Sequence, residues 1–403
     1  MKIDNKVIFL SSINFINSDY KKYNFREYLN KKIKIEIWYL QNIFNLNYDL
    51  KPSLKKNKKI KIINIKTRKQ FLELLNDKRN SRSLYYPRFT YNYNTRELFK
   101  ILSMQKVNYL YHVGSLSDIK SPNSVSKKTY FQNKMKQFIK LKWDVLLKII
   151  FNKIFLSLKS SFFKINEAPY LYLKGNLGSD LNDHKLFGKN SKLIKGHVRN
   201  YDRYLLLKKK KLKVFRKALF IDQGVMINPD HKEGQETNIN KEKYYKSIYD
   251  FLKKLKKKFK YQIEISCHPK APKKDIQRFF PKIKTQKNKT LEQIMRSNLI
   301  LTHDSTAVEY AVFLKKPILF ITNEELNSDT FPHLFYINHE AKKLNKKVFN
   351  LDRMDFKGFK KNIEVKNDDY NDYIKKHVNQ SSKHLTSTQL IINKLKKDKL
   401  WLF

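Results

Sequence analysis

Only one cysteine occurs in the 403 residues, which excludes an internal disulfide framework and any multi-cysteine metal site. No motif of a cysteine enzyme surrounds Cys267, so it reads as a small buried residue. Long apolar runs are missing as well. No stretch of about 18 uncharged apolar residues exists, and a membrane span is not expected. The first residues, "MKIDNKVIFLSSINFINSDY", hold only the short run "VIFL" before Asn-rich sequence, which does not read as a signal peptide. The expected location is therefore cytoplasmic. Acidic residues are also few: 36 Asp and Glu stand against 86 Lys and Arg, a net charge of +50.

Such an imbalance admits three kinds of partner: nucleic acid, an anionic membrane surface or an acidic substrate. Arginine, the usual bidentate reader of phosphates and bases, is a small minority of the basic residues. No zinc-finger spacing, RNP-like aromatic motif or arginine cluster occurs. A non-enzymatic nucleic-acid-binding protein thus rests on charge alone, and no specific nucleic acid is expected. A drift toward A/T-rich codons, which also enriches Asn, Ile, Phe and Tyr, is a competing source of the lysine.

What is present reads as alternating strands and helices. "KVIFL", "IKIEIWYL", "IKIINIK", "VNYLYHV" and "APYLYLKGN" have strand character, while "TRKQFLELLNDKR" carries a helical apolar face opened by Thr67 as a cap. That order indicates an α/β layer with a mainly parallel sheet. Between Thr129 and Lys164 lies a basic, aromatic stretch. Its Phe138, Leu141, Val145, Leu146, Ile149, Ile150 and Ile154 form one helical stripe, fit for a core or for an anionic lipid surface. The run Lys208–Lys211 reads as a linker and divides the chain into domains 1–207 and 212–403. "DDYND", Asp368–Asp372, has the Asp-x-Asp spacing of metal-dependent transferases but follows no strand and reads as a polar loop. The C-terminal "HLTSTQLIINKLKKDKLWLF" reads as an amphipathic docking helix.

The second domain repeats the grammar: "KALFIDQGV", "YQIEISCHP", "NLILTHDS" and "PILFIT" are strands, with helices between them. "TLEQIMR" opens with a capping-box pattern, Thr290 to Gln293. Three of these strands run into polar groups: Asp222-Gln223-Gly224, His268-Pro269 and His303-Asp304-Ser305-Thr306. In a parallel sheet their carboxyl ends share one edge, where α/β proteins take ligands. Pro269 forces His268 into extended backbone, a feature that serves a plain turn or a site equally. The helix "STAVEYAVFLKK" offers unpaired N–H groups beside the Ser305 and Thr306 hydroxyls, a natural phosphate cradle; Asp304 or Ser305 also suits a simple helix cap. An acid at His268 and a base at Asp222 would make a transfer site for a phosphate-linked group.

"FIDQG", "SCHPK" and "LTHDSTAVEYAVFLKKPILFIT" resemble the acidic-Gly, His-Pro and Ser/Thr-pair motifs of bacterial sialyltransferases and polysialyltransferases, and more broadly of surface-polysaccharide glycosyltransferases. The resemblance spans roughly Leu219 to Thr322. It implies a GT-B-like α/β fold: two Rossmann-like domains with a cleft between them, the first on the acceptor side, the second on the donor side. By its terms Asp222 is the general base, His268 binds and protonates a cytidine-monophosphate leaving group, and Ser305 and Thr306 contact donor phosphate. Gly224, Pro269, Lys270, His303 and Asp304 complete the donor site. His197, Arg199 and Asp202, in "GHVRNYDRYL", are cleft or hinge candidates. Gln223 departs from the pattern, which has a second acidic residue there.

The activity so implied is inverting and metal-independent, with no cofactor. A sialic-acid-like sugar would pass from a CMP donor to a capsule or lipid-linked glycan at the inner face of the membrane. The His-Pro and hydroxyl-pair pattern also resembles teichoic-acid polyol-phosphate transferases with CDP donors, and a non-catalytic binding subunit of a polysaccharide assembly complex is a third reading.

Overall fold

The computed structural model describes residues 4–15, 17–40, 43, 59–113, 143–175, 184–208, 212–225, 239–269, 271–328, 333–353, 356–378 and 384–401. They divide into two compact units. The first holds the residues up to Arg199 and those from 384 onward; the second holds those from Asn200 to Val378.

In the first unit, β1 (Lys6–Ser11), β2 (Lys34–Tyr39), β3 (Ile60–Asn64) and β4 (Ser83–Pro87) form a sheet ordered β3-β2-β1-β4. β5 (Leu110–Val113), β6 (Tyr170–Lys174) and β7 (Lys192–Gly196) follow as β5-β6-β7. A parallel bridge between Tyr85 and Tyr109 joins the two, and every pairing is parallel. All six residues of β1 are buried, as expected when helices cover both faces of a parallel sheet. Side-chain alternation divides the core: Ile8 and Leu10 join Trp38, Tyr85 and Phe99 on one face, Val7 and Phe9 join Ile37, Tyr86 and Tyr170 on the other. Thr67 caps the helix Arg68–Asn76 as expected, accepting from the Gln70 N–H at 3.1 Å.

The C-terminal segment belongs to this first unit, so the expected 212–403 domain is corrected. Its helix Ser387–Lys397 starts on a reciprocal capping box between Thr386 and Gln389. Ile391, Ile392, Leu395 and Trp401 then bury against the face that holds Phe25 and Tyr28, and the Trp401 indole N–H donates to the Arg82 carbonyl at 2.9 Å. The division also falls at Arg199–Asn200 rather than at the lysine run, whose residues 209–211 lie outside the described residues.

Of the basic, aromatic stretch, the helix Trp143–Ser157 is described. Ile150 and Ile154 are 42% and 51% exposed, and Leu147, Phe151 and Leu158 lie exposed beside them, whereas Phe155 is buried in the core. The described part of the stripe therefore faces outward. Phe138 and Leu141 lie outside the described residues.

In the second unit, β8 (Lys217–Ile221), β9 (Gln262–Cys267), β10 (Lys284–Lys287), β11 (Leu299–Thr302), β12 (Ile318–Thr322) and β13 (Val348–Asn350) form one parallel sheet ordered β10-β9-β8-β11-β12-β13. Its order is that of the dinucleotide-binding α/β fold, with the direction of winding reversing between β8 and β11. The helix Lys241–Phe259 buries Tyr244, Tyr245, Ile248, Phe251, Leu252 and Leu255, is capped by Asn240 and ends on three lysines that suit the negative end of its dipole. Glu264, buried in β9, is held by Lys217 at 2.8 Å and Lys284 at 3.6 Å. The capping box expected at Thr290 does not form: the Thr290 hydroxyl pairs with Ser266 at 2.8 Å, and Gln293 turns inward toward the Ile265 carbonyl. Asp368–Asp372 lies in a short helix, Asn367–Tyr373, not in a loop.

Trp401→Ala should lower the denaturant stability of the protein by roughly 3–5 kcal/mol, the usual loss for a buried aromatic. A change within experimental error would mean that the C-terminal segment is not part of the first core.

Candidate active site

Because β8 lies between β9 and β11, the three polar strand ends are adjacent. Ile221 stands opposite Ser266 on one side and Thr302 on the other. The Asp222 N–H continues the ladder, donating to the Ser266 carbonyl at 3.0 Å. The chain then turns at Gly224, whose φ of +63° is open to glycine at little cost. A Cβ at Gly224 would stand 3.1 Å from the His268 Cβ and 3.4 Å from that of Ala271. The glycine thus lets the first strand end close on the second.

Asp222 is 2% exposed. Its Oδ1 accepts the Gly224 N–H at 3.0 Å, while its Oδ2 is buried with no hydrogen-bond partner. Burial pushes its pKa up from 3.8 to about 6, and the Gly224 N–H offsets part of that rise. A carboxylate dry on one oxygen and poised near neutrality is suited to accepting a proton. His268 is half-buried and Pro269 exposed; Lys270 lies outside the described residues.

Across the switch point, the Gln223 Nε2 donates to Asp304 Oδ1 at 2.7 Å, and the Asp304 N–H reaches Gln223 Oε1 at 3.4 Å. Gln223, which departs from the expected acidic pair, is therefore the clasp between β8 and β11. A carboxylate in its place would face Asp304.

Two expectations at the third strand end are corrected. His303 is 1% exposed, and both ring nitrogens are used internally: Nδ1–H donates to the Ile321 carbonyl at 2.7 Å and Nε2 accepts from the Tyr244 hydroxyl at 2.9 Å. Desolvation lowers its pKa to about 4, so the ring is neutral and structural. The helix begins later than expected, at Val308, and runs only to Phe313 with no side-chain cap. Ser305 Oγ accepts the Ala307 N–H at 3.3 Å, and Thr306 is exposed. Sequence reading missed Asn200, whose Nδ2 donates to the Thr306 carbonyl at 3.1 Å and whose Oδ1 accepts from Tyr310 at 2.8 Å. Nothing in sequence links residues more than a hundred positions apart.

The cleft candidates separate. His197 belongs to the first unit and is fully buried; its Nε2–H donates to the Leu385 carbonyl at 2.7 Å, and its backbone N–H donates to the Tyr172 hydroxyl. It ties the C-terminal segment down. Arg199 is exposed in the first unit, and Asp202 is half-buried in the second. Among the described residues, no three His, Cys, Asp or Glu side chains gather as a metal site would require.

No protein-family model matches the chain, and no curated protein matches it in sequence. Solved structures do. A variant of the wall teichoic acid polymerase TagF is 11% identical with a TM-score of 0.50 over 98% of this chain and 89% of that one. The UDP-GlcNAc 2-epimerase of Methanocaldococcus jannaschii is 12% identical with a TM-score of 0.48, over 97% and 99%. CalG4, the calicheamicin glycosyltransferase, is 8% identical with a TM-score of 0.48, over 99% and 98%. With two parallel-sheet units and a TagF likeness across nearly the whole chain, the fold is GT-B-like α/β.

A carboxyl group whose pKa is raised on folding binds its proton more tightly in the native state, so stability falls as pH rises from the unfolded to the folded value. Relative to Asp222→Asn, which keeps the Oδ1 acceptor, the wild type should lose on the order of 3 kcal/mol between about pH 4 and pH 6. Denaturant titrations over that range check this; parallel curves would show that Asp222 is not held dry.

Proposed function

We propose that this protein is a nucleotide-sugar-dependent glycosyltransferase, inverting and metal-independent, whose second unit takes a cytidine-linked donor and whose first unit takes a surface-glycan acceptor. The observation that carries the reading is the closure of the Asp222–Gly224 turn on His268, which brings the strand end that holds a dry carboxylate oxygen against the strand end that carries an imidazole, next to the switch point of the sheet. In the transfer, Asp222 Oδ2 takes the proton of the acceptor hydroxyl. The acceptor oxygen bonds to the anomeric carbon as the bond from carbon to donor phosphate oxygen breaks, and the electron pair leaves with the nucleotide. His268 donates a hydrogen bond or its proton to the departing phosphate, and the Ser305 and Thr306 hydroxyls lie on the next strand end.

A second reading, transfer of a polyol phosphate from a CDP donor, is favoured by Gln223. This residue pairs with Asp304 where the sialyltransferase pattern has an acid. CMP, CDP, UDP and GDP compared in a thermal-shift screen separate the two readings, since a ligand of the folded state raises the melting point. CMP is the leaving nucleotide of both transfers and should stabilise in either case. The second phosphate of CDP should add to the shift for a polyol-phosphate donor and not for a sialic-acid-like one. With the corresponding donors, Asp222→Asn and His268→Ala should each lower turnover at least about a hundredfold, the low end of general acid–base contributions. Wild-type turnover in Asp222→Asn would reduce Asp222 to a holder of the Gly224 turn and end the base assignment. Tight binding of one donor without cleavage of any would favour a non-catalytic subunit.

We further infer that the protein works at an anionic membrane surface. No helix among the described residues is long and apolar enough to cross a membrane. Leu147, Ile150, Phe151, Ile154 and Leu158 form one exposed apolar face, extended by Phe162 at 74% exposure, and Lys153, Lys159 and Lys164 flank it. Such a face can enter the headgroup layer while the lysines meet anionic lipid. In vesicle sedimentation, Phe151→Asp with Phe162→Asp should cut binding to phosphatidylglycerol vesicles several-fold. Unchanged binding would leave only diffuse lysine attraction.

A further inference from the structure

The sheet of the first unit has a switch point of its own. β1 and β4 are neighbours, β2 and β3 lie beyond β1, and β5 to β7 lie beyond β4, so the same topological argument points to their carboxyl ends. Arg88 leaves β4 there, with its N–H on the Leu10 carbonyl at 2.9 Å. Its side chain is only 7% exposed. The guanidinium lies 4.1 Å from the Phe15 ring centroid and 5.3 Å from that of Tyr23, and its Nη2 is 3.6 Å from Asp19. Its Nη1 is buried with no hydrogen-bond partner.

Three more cations gather at this edge. Lys22 is 3.7 Å from Asp19 and 5.2 Å from the Tyr23 ring; Arg199 lies over the same ring at 5.9 Å; Lys174 ends β6. They sense one another. Burial lowers the Lys174 pKa to about 8, assisted by Arg199 and Lys22, and burial with Arg199 lowers that of Lys22. Beside them His112, on β5, is sandwiched between the rings of Tyr86 at 4.8 Å and Tyr172 at 4.6 Å. Both its ring nitrogens are buried without a hydrogen-bond partner. Desolvation first, then Lys174 and Arg199, keep the imidazole neutral, so it offers one donor and one acceptor.

Among the described residues, four cations thus gather near one carboxylate, Asp19, which Lys22 and Arg88 meet directly. A solvated lysine face, which this composition produces elsewhere, would leave the nitrogens in water. Here a guanidinium nitrogen and two imidazole nitrogens are dry and unsatisfied, which is costly unless a further group pairs with them. The excess of three positive charges favours a dianion over a monoanion.

We propose that this edge of the first unit binds a phosphate group, with Arg88 as the central donor, Lys22, Lys174 and Arg199 around it and His112 supplying a further hydrogen bond. The inference stands on the first unit alone and does not rest on the transferase reading.

Calorimetric titration of the full chain with inorganic phosphate, glycerol 1-phosphate and glycerol, at matched ionic strength, tests it. Phosphate or its ester should bind saturably and glycerol should not. Tighter binding of the ester identifies a phosphorylated ligand, and equal binding identifies free phosphate. Arg88→Gln, Lys174→Gln and the exposed Arg199→Gln should each weaken binding at least about tenfold, as loss of a charge-assisted hydrogen bond does. Lys189→Gln, an exposed lysine of the same unit, should change nothing. Should Arg88→Gln fail to fold, the other two decide. Absence of saturable binding, or equal losses in Lys189→Gln and Lys174→Gln, overturns the proposal.

Discussion

The reversal of winding between β8 and β11 is the constraint on which the candidate site depends. Chains leaving these two neighbouring strands depart in opposite directions, so no connection fills the space above their carboxyl ends. Residues placed there have no strand to pair with and must satisfy their polar groups through side chains. The clasp of Gln223 on Asp304 does this across the gap, and the Asp222 carboxylate does it within its own turn by taking the Gly224 N–H. Each uses part of its bonding capacity and leaves a defined remainder. For Asp222 that remainder is one buried oxygen.

The same backbone logic, applied to a different set of side chains, gives the first unit an opposite electrostatic character. Its switch point gathers Arg88, Lys22, Lys174 and Arg199, and among the described residues Asp19 is the carboxylate that Arg88 and Lys22 bind. Bulk net charge says little about either place. Lysines in water are screened within about 10 Å at ordinary salt, whereas groups that have lost their hydration interact through the protein at full effect. A raised carboxylate and a lowered lysine are two signs of one cause, desolvation that the fold imposes at its strand ends.

The parts of this architecture legible in sequence are those where local pattern and tertiary role agree. β1, β8, β11 and β12 are apolar runs because both sheet faces are covered, and β2 and β9 carry isoleucines in alternation with polar residues, the period of a strand. Parallel pairing then brings Asp222 and His268 to one edge without further information. β10, "KTQK", and β13, "VFN", are short strands at the two edges of the sheet. An edge strand buries little and needs no apolar alternation, so neither is marked in the sequence. His303 shows the reverse failure. Its place at a strand end matches that of a ligand-binding residue, yet its fate is decided by Tyr244, a helical residue whose hydroxyl reaches the ring. Arg88 is similar: a lone arginine after a proline becomes distinctive only once Phe15, Tyr23 and Asp19 enclose it.

Gln223 shows how a departure from a pattern is read through its neighbour. In isolation the loss of an acidic residue suggests a weakened catalyst. In the structure the amide donates to Asp304 from its nitrogen and meets the Asp304 N–H with its oxygen, a two-point match that a carboxylate cannot make. An acid at this position would set two negative charges at hydrogen-bond distance, and one of them would have to take up a proton. It would also add a negative charge close to Asp222, whose pKa burial has already raised to about 6, and would push it higher. A neutral residue at 223 therefore keeps Asp222 ionised near neutral pH, the state in which it can accept a proton. The departure is compatible with a working base, provided the remaining carboxylate is the one that does the chemistry.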